Sequence, residues 1–178
     1  AYAQMARRHT LAERWKEALS WSERALALAE RLDNEEASSL ALQYRGQASV
    51  ALGDLLSLDD LREALRTSLD LGFGLETVRA HENLGMSVWL TEGPAQGLEL
   101  QQAGIDFGER RGVTSLVMLA KAHTLWPMFD LGHWDAVVDR ADEVIAWYRK
   151  LGGSYSGVIA LTAKAQVCLL RGQLDEAS

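Results

Sequence analysis

The sequence predicts an all-α protein built as a row of antiparallel helix pairs, an α-solenoid of about nine helices. Three observations predict this fold class. Glycines recur at a period of about 40 residues, the apolar residues between them recur at the three-and-four spacing of an amphipathic helix, and alternating strand-like runs bounded by tight turn pairs are absent. With 48% hydrophobic and 24% charged residues, the composition is ordinary for a water-soluble protein.

Two interleaved sets of turn residues give the register of the helix pairs. One set steps by 40, 39 and 40 residues and the other by 39, 40 and 40. Each member closes a helical stretch, as expected when glycine or a short polar residue takes the left-handed position after a helix. The first set is Gly53, Gly93, Gly132 and Gly172, and the second is Asp33, Gly72, Gly112 and Gly152.

Each unit therefore contains an A helix followed by a B helix. The stretch 134–151 shows the expected apolar stripe, and Pro94 suits a first helical turn, where an amide has no intrahelical partner. Pro127 deletes the helical bond to the carbonyl of His123, which predicts a bend there. The predicted A helices are 1–12, 35–52, 75–91, 113–131 and 155–171, and the predicted B helices are 14–32, 57–71, 94–111 and 134–151.

The helices group into one helical-repeat domain over residues 1–178, with an incomplete last unit. A further register position lies inside the A helices, where glycine costs about 1 kcal/mol relative to alanine and so needs a packing reason. We expect Gly46, Gly85 and Ala165 to face their own B helix, and Leu125 to mark a wider crossing. The predicted units are 1–33, 34–72, 73–112, 113–152 and 153–178.

A small residue inside helix A, a turn, and then an aromatic residue and an alanine that open helix B resemble the tetratricopeptide repeat, as in the segments ERWKEALSWSERALALAERLD and LGHWDAVVDRADEVIAWYRKLG. This resemblance covers the whole chain and implies a right-handed superhelix, although the period is longer than the usual 34 residues or so. Such lengthened repeats are similar to the arrays of large bacterial signalling proteins, in which an AAA-type ATPase module precedes the array and a nucleotide cyclase or DNA-binding domain shares the chain. The resemblance thus implies a fragment of a longer cytoplasmic protein.

The resemblance also implies a concave surface made by the A helices that binds a peptide, a helix or a neighbouring domain. The alternatives are a merely solvated inner surface, or a small-molecule effector site near Arg79, His123 and Trp126 in an ATP-dependent transcription regulator. The positions that flank the small residue of each A helix are the expected partner-binding residues: Gln43, Gln47, Arg79, Glu82, Asn83, Met86, His123, Trp126 and Gln166.

The remaining patterns argue against catalysis by this segment. No nucleophile and base constellation, phosphate-binding loop or paired histidine spacing occurs, so we expect no enzyme activity, cofactor or metal. The net charge of −7 disfavours nucleic acid, and no apolar stretch is long enough for a membrane span. Cys168 should be a buried thiol, and a single cysteine favours a reducing compartment. The expected partners are proteins, peptides or adjacent domains, with end-to-end self-association as a further possibility.

Overall fold

The computed structural model describes residues 1–151 and 155–173, and every regular element in this part of the chain is a helix. The predicted all-α fold class is confirmed, and all nine predicted helices are present, one of them divided in two. The A helices are α1 (Tyr2–Leu11), α3 (Glu35–Ala51), α5 (Gly74–Thr91), α7 (Thr114–His123) with α8 (Leu125–Asp130), and α10 (Tyr155–Leu170). The B helices are α2 (Trp15–Arg31), α4 (Leu58–Asp70, after a 3-10 turn at Leu55–Ser57), α6 (Pro94–Arg110) and α9 (Trp134–Leu151).

The division between α7 and α8 falls at Thr124. Pro127 has no amide hydrogen for the carbonyl of His123, so the helical ladder loses a bond at this point. At the same point the Thr124 hydroxyl donates to the carbonyl oxygen of Lys121 at 2.7 Å. The predicted bend is confirmed as an interruption one turn before the proline.

Left-handed backbone at the turns separates successive helices. Asp33 has a φ of 49°, and the turn glycines that were predicted within the described residues have positive φ as well. Glu13, with a φ of 54°, extends the Gly53 set by one further period, although glutamate carries no turn signal. The predicted turn glycines with positive φ are Gly53, Gly72, Gly93, Gly112, Gly132 and Gly172, whereas Gly152 lies outside the described residues.

The helices form a curved row. Each helix packs against the next, and the A helices also contact one another, in the pairs α1 with α3, α3 with α5, α5 with α7, and α7 with α10. Among the described residues the B helices make no comparable contact with one another. Because the A layer is the more closely spaced layer, it lies on the inner, concave side of the row.

Glycines allow the first two complete pairs to pack closely. A Cβ atom at Gly85 would lie 2.5 Å from Cγ of Gln101 and 2.9 Å from the carbonyl oxygen of Gly97 on α6. A Cβ atom at Gly46 would lie 2.7 Å from Cγ of Leu61 on α4. The prediction that these two glycines face their own B helix is therefore confirmed.

At the third helix pair the large side chain lies on the A helix and the small one on the B helix. Leu125, the register counterpart of Gly85, is fully buried in one apolar cluster with Ala141, which takes the register position of Gln101 on α9. In the first two pairs a glycine on the A helix faces a larger residue on the B helix. Because the third pair reverses these sizes, Leu125 does not require the wider crossing that we expected. The crossing expected for Ala165 involves residues after 173, which lie outside the described residues.

Candidate interaction surface

The nine predicted partner-binding residues all lie on A helices, and we call the surface that they share the inner face. Their register positions recur from one unit to the next. Asn83 on α5 and His123 on α7 occupy equivalent positions, as do Gln43 on α3 and Glu82 on α5. A third position is shared by Gln47, Met86, Trp126 and Gln166.

The first polar contact of the inner face joins α3 to α5. The Asn83 Nδ2 donates to Gln43 Oε1 at 2.9 Å, and the Gln47 Nε2 donates to Asn83 Oδ1 at 3.1 Å. Gln43 is fully buried, and its Nε2 has no partner among the described residues. Each of these three amides therefore makes at least one hydrogen bond between α3 and α5.

The second polar contact joins α5 to α7 at the equivalent positions. Glu82 Oε1 lies 2.6 Å from His123 Nδ1, and both side chains are largely buried. Burial alone would lower the pKa of His123, but the charge of the Glu82 carboxylate and its hydrogen bond outweigh burial and raise the pKa above its ordinary value. The Tyr155 ring on α10 meets His123 edge-on, with 6.2 Å between ring centroids.

The polar series stops after these two contacts. Ala122 on α7 and Ala163 on α10 occupy the next equivalent pair of positions, and both are fully buried in the apolar cluster around α9. The inner face thus changes from hydrogen-bonded contacts between A helices to apolar contacts along its length.

Two further side chains complete the polar part of the inner face. Arg79 is paired with the carboxylate of Glu76 on the same helix at 2.7 and 2.8 Å. Tyr44 occupies the register position of Asn83 on α3, and burial raises its pKa to about 12, against the opposing charges of Arg79 and Arg7. Its hydroxyl has no partner among the described residues. Sequence reasoning missed Tyr44, although its spacing of 39 residues from Asn83 was a usable signal.

The accessible part of the inner face is more apolar. Gln166 is exposed, while Met86 and Trp126 are half-buried, and Trp126 also packs against the apolar cluster around α9. Leu90 lies one helical turn after Met86 and is 69% exposed. It was not among the predicted residues, although the four-residue spacing from Met86 placed it on the same helix face. The indole Nε1 of Trp89 donates to Asp130 Oδ2 at 2.8 Å and ties α5 to the end of α8.

Two clefts lie away from the nine predicted residues. One, of about 500 Å³, is bordered by the turn at Asp33–Glu36 together with Leu71 and Phe73. The other, of about 390 Å³, lies between α6, α8 and α9. Neither has a predicted partner-binding residue in its lining.

The chemistry of the described residues adds little to these surfaces. They contain no group of three or more His, Cys, Asp and Glu side chains placed to hold a metal ion. Cys168 is buried, as predicted. No helix in the described part of the chain combines the length and apolar character needed to cross a membrane.

The fold is that of a TPR-like helical repeat array. Its solved structural neighbours include a Podosopora anserina protein described as a putative kinesin light chain with nearly identical TPR-like repeats. A variant of that protein aligns with a TM-score of 0.72 and 14% sequence identity over 99% of this chain and 87% of the other. A second structure of the same protein gives a TM-score of 0.71 at 14% identity, covering 99% and 88%. No protein-family model and no curated protein sequence matches the chain.

Proposed function

We propose that this chain is a non-catalytic interaction scaffold that binds a peptide, a helix or a neighbouring domain on its inner face. The observation that carries the proposal is the pair of interhelical contacts, Gln43 with Asn83 and Glu82 with His123, which fix the spacing of neighbouring A helices. A surface whose geometry is fixed before binding loses less conformational entropy when a partner docks. TPR-like arrays in general serve as protein-interaction scaffolds, which supports the same function.

The contacting groups on this surface would be the accessible ones. Since Gln43, Asn83 and Glu82 are already bonded to other A helices, their role is to position the face. Met86 and Leu90 are left to contact the partner, together with those parts of Gln47, Trp126 and Gln166 that remain accessible. Scattered amides around apolar anchors suit the main chain and apolar side chains of a bound segment.

The experiment compares one substitution on the two sides of the array. Peptides selected from a phage-displayed library on the immobilised chain are labelled, and their dissociation constants are measured by fluorescence anisotropy. Leu90→Glu should weaken binding about tenfold or more, because a charge replaces an exposed apolar anchor. Leu69→Glu is the matched control, since Leu69 is an exposed leucine, 45% accessible, on the B helix α4.

The outcome that would contradict the inner-face assignment is a loss of affinity in the Leu69 variant with none in the Leu90 variant. Failure to select any peptide would count against peptide binding altogether. Alanine at Trp126 is a poorer probe, because that ring also packs against the apolar cluster and its removal would affect stability as well as binding.

The array would belong to a larger bacterial cytoplasmic signalling protein, with adjacent domains of the same chain among its partners. The lengthened period of about 40 residues supports this context. Reading the coding sequence on both sides of the segment tests it, since an ATPase module on one side is expected. Flanking sequence that encodes only further repeats or an unrelated enzyme would contradict it.

End-to-end self-association is part of the same proposal. Val158, Leu161 and Leu169 on α10 are all exposed, and they occupy the register positions by which α5 packs against α6. Sedimentation across a concentration series should show association that Leu161→Glu abolishes. A strictly monomeric wild-type protein at every concentration would contradict it.

A further inference from the structure

The cleft between α6, α8 and α9 contains a cation, Arg140, that forms no ion pair with any described acidic residue. Three arginines among the described residues are partly buried. Arg45 is paired with Asp60 at 2.6 Å and Arg79 with Glu76 at 2.7 Å. Arg140, on α9, makes no ion pair within the described part of the chain.

Neutral oxygens hold the Arg140 guanidinium in place. Its Nη1 donates to Thr124 Oγ1 at 2.7 Å, and its Nη2 donates to Gln102 Oε1 at 3.1 Å. Two of its five N–H donors are used in this way, and the rest remain available to an incoming acceptor. Burial lowers the pKa of Arg140, and the more distant carboxylates of Glu143, Glu109 and Asp106 do not compensate for it. The group is held in a fixed position with its charge incompletely balanced.

The surroundings of Arg140 have the size and polarity of a small-ligand site. The cleft has a volume of about 390 Å³, and Leu98, Met128 and Leu131 form its apolar wall. Small-molecule sites are lined mainly by apolar side chains with a few polar or charged groups, and this open cleft has that composition. Ala95, Glu99, Gln102 and His133 complete the lining. Glu99 and His133 are both exposed, so solvent screens the repulsion that Glu99 would exert on an anion.

We propose that this cleft binds a small carboxylic acid with a short apolar chain. The carboxylate accepts hydrogen bonds from the free donors of Arg140, and the chain lies against Leu98, Met128 and Leu131. Arginine is well suited to this role because its planar fork matches the geometry of a carboxylate. The site is separate from the inner face, so it does not depend on the proposed scaffold function.

The experiment titrates the whole chain with hexanoate by isothermal calorimetry, alongside butanoate and octanoate. Hexanamide has nearly the same shape without the charge and serves as the ligand control. Saturable binding of at least one of the acids is expected, with the amide about tenfold weaker or more, because a hydrogen bond between charged groups is stronger than a neutral one.

Gln102→Glu is the decisive variant. It places a carboxylate where the Gln102 amide oxygen now lies, 3.1 Å from Arg140 Nη2, and so supplies the missing acid from within the protein. Acid binding should weaken about tenfold or more. The melting temperature should change little, because the new ion pair with Arg140 is offset by loss of the exposed bond from Gln102 Nε2 to Asp106 Oδ1 at 2.8 Å. Gln96→Glu adds the same charge to an exposed position of the same helix and should leave binding within about twofold. Leu98→Trp, which fills the cleft, should also prevent binding.

Three results would each overturn the proposal: no saturable binding of any of the three acids, equal affinity for hexanoate and hexanamide, or binding that survives Gln102→Glu. A purely structural role for Arg140 predicts that hexanoate and hexanamide bind equally well, since neither would contact its guanidinium. The Leu69 and Leu90 variants test peptide binding on the inner face. Their outcome therefore leaves these three results on the cleft unaffected.

Discussion

The α5–α6 crossing and the apolar cluster around α9 use the same register positions with different side chains. On α6 the positions that face α5 bring the two backbones together, so that a Cβ atom at Gly97 would lie 2.7 Å from the carbonyl oxygen of Gly85. On α9 three of the four equivalent positions carry apolar side chains of the cluster that also includes residues of α8 and α10, and at the fourth the Tyr148 ring lies against Gly157 of α10. The α6 residues are Gly97, Gln101, Gly104 and Gly108, and their α9 counterparts are Val137, Ala141, Val144 and Tyr148.

The difference shows that equivalent repeat positions can be packed in two ways, by close backbones or by apolar side chains. The two kinds of packing are disrupted by different substitutions. Where backbones touch, any added atom meets a main chain that cannot turn aside. Where side chains fill the space, it is the removal of atoms that leaves a cavity. The two regions should therefore respond oppositely to changes in side-chain size.

The largest effect is expected from Gly85→Leu at the glycine-lined crossing. The new Cβ atom would lie 2.9 Å from the carbonyl oxygen of Gly97, so α5 and α6 must separate. We expect a loss of about 3 kcal/mol in the free energy of unfolding, measured in urea. Gly74→Ala is the control, since its Cβ atom would lie 3.8 Å from Cδ of Arg111, and it should change stability by less than about 0.5 kcal/mol. An unchanged midpoint for the leucine variant would contradict the close approach.

Val144→Ala tests the apolar region by removal. Val144 is fully buried within the cluster around α9, so the deletion of two methyl groups should cost about 2 kcal/mol in transfer and cavity terms. The matched change Val158→Ala, on a valine that is 57% exposed, should cost less than about 0.5 kcal/mol at protein concentrations too low for end-to-end association. Equal losses at the two positions would show that the cluster is not tightly packed.

Gln101→Leu should stabilise the glycine-lined crossing. Gln101 is fully buried, and neither Nε2 nor Oε1 has a partner among the described residues. Leu61 occupies the equivalent position opposite Gly46, so leucine fits this site. Removal of this buried, unpaired amide should add about 1 kcal/mol to the free energy of unfolding. The exposed Gln96→Leu variant controls for hydrophobicity alone, and destabilisation by Gln101→Leu would show that the amide is satisfied in solution.

The helices were predictable because their ends are marked locally. Turn residues with positive φ, such as Gly53 and Asp33, and the proline that opens α6 are visible in the sequence, and the helix bounds follow within one or two residues. The interruption at Thr124 followed from Pro127 for the same reason. Glu13 shows the limit of such signals, since tertiary packing holds it in a turn conformation that its residue type does not suggest.

The candidate sites were less predictable because they depend on contacts between distant residues. Gln43 and Asn83 are 40 residues apart, and their pairing needs the exact rotation of α3 against α5. The sequence therefore indicated which residues lie on the A helices, while their mutual hydrogen bonds appeared only in three dimensions. The lack of an ion pair at Arg140 among the described residues was equally invisible, because acidic residues flank it closely along the chain.

The smallest effect concerns pH and separates the two polar contacts of the inner face. The pKa of His123 is raised by Glu82, so this contact contributes most to stability below the ordinary histidine pKa of about 6.5. The contribution is lost as pH rises through the higher pKa of the folded state. The difference in unfolding free energy between wild type and Glu82→Gln should therefore shrink from about pH 5.5 to about pH 8.5 in urea titrations. The Gln43–Asn83 contact carries no charge, so the cost of Asn83→Ala should stay constant over the same range. A constant difference for Glu82→Gln as well would show that the contact with Glu82 does not raise the pKa of His123.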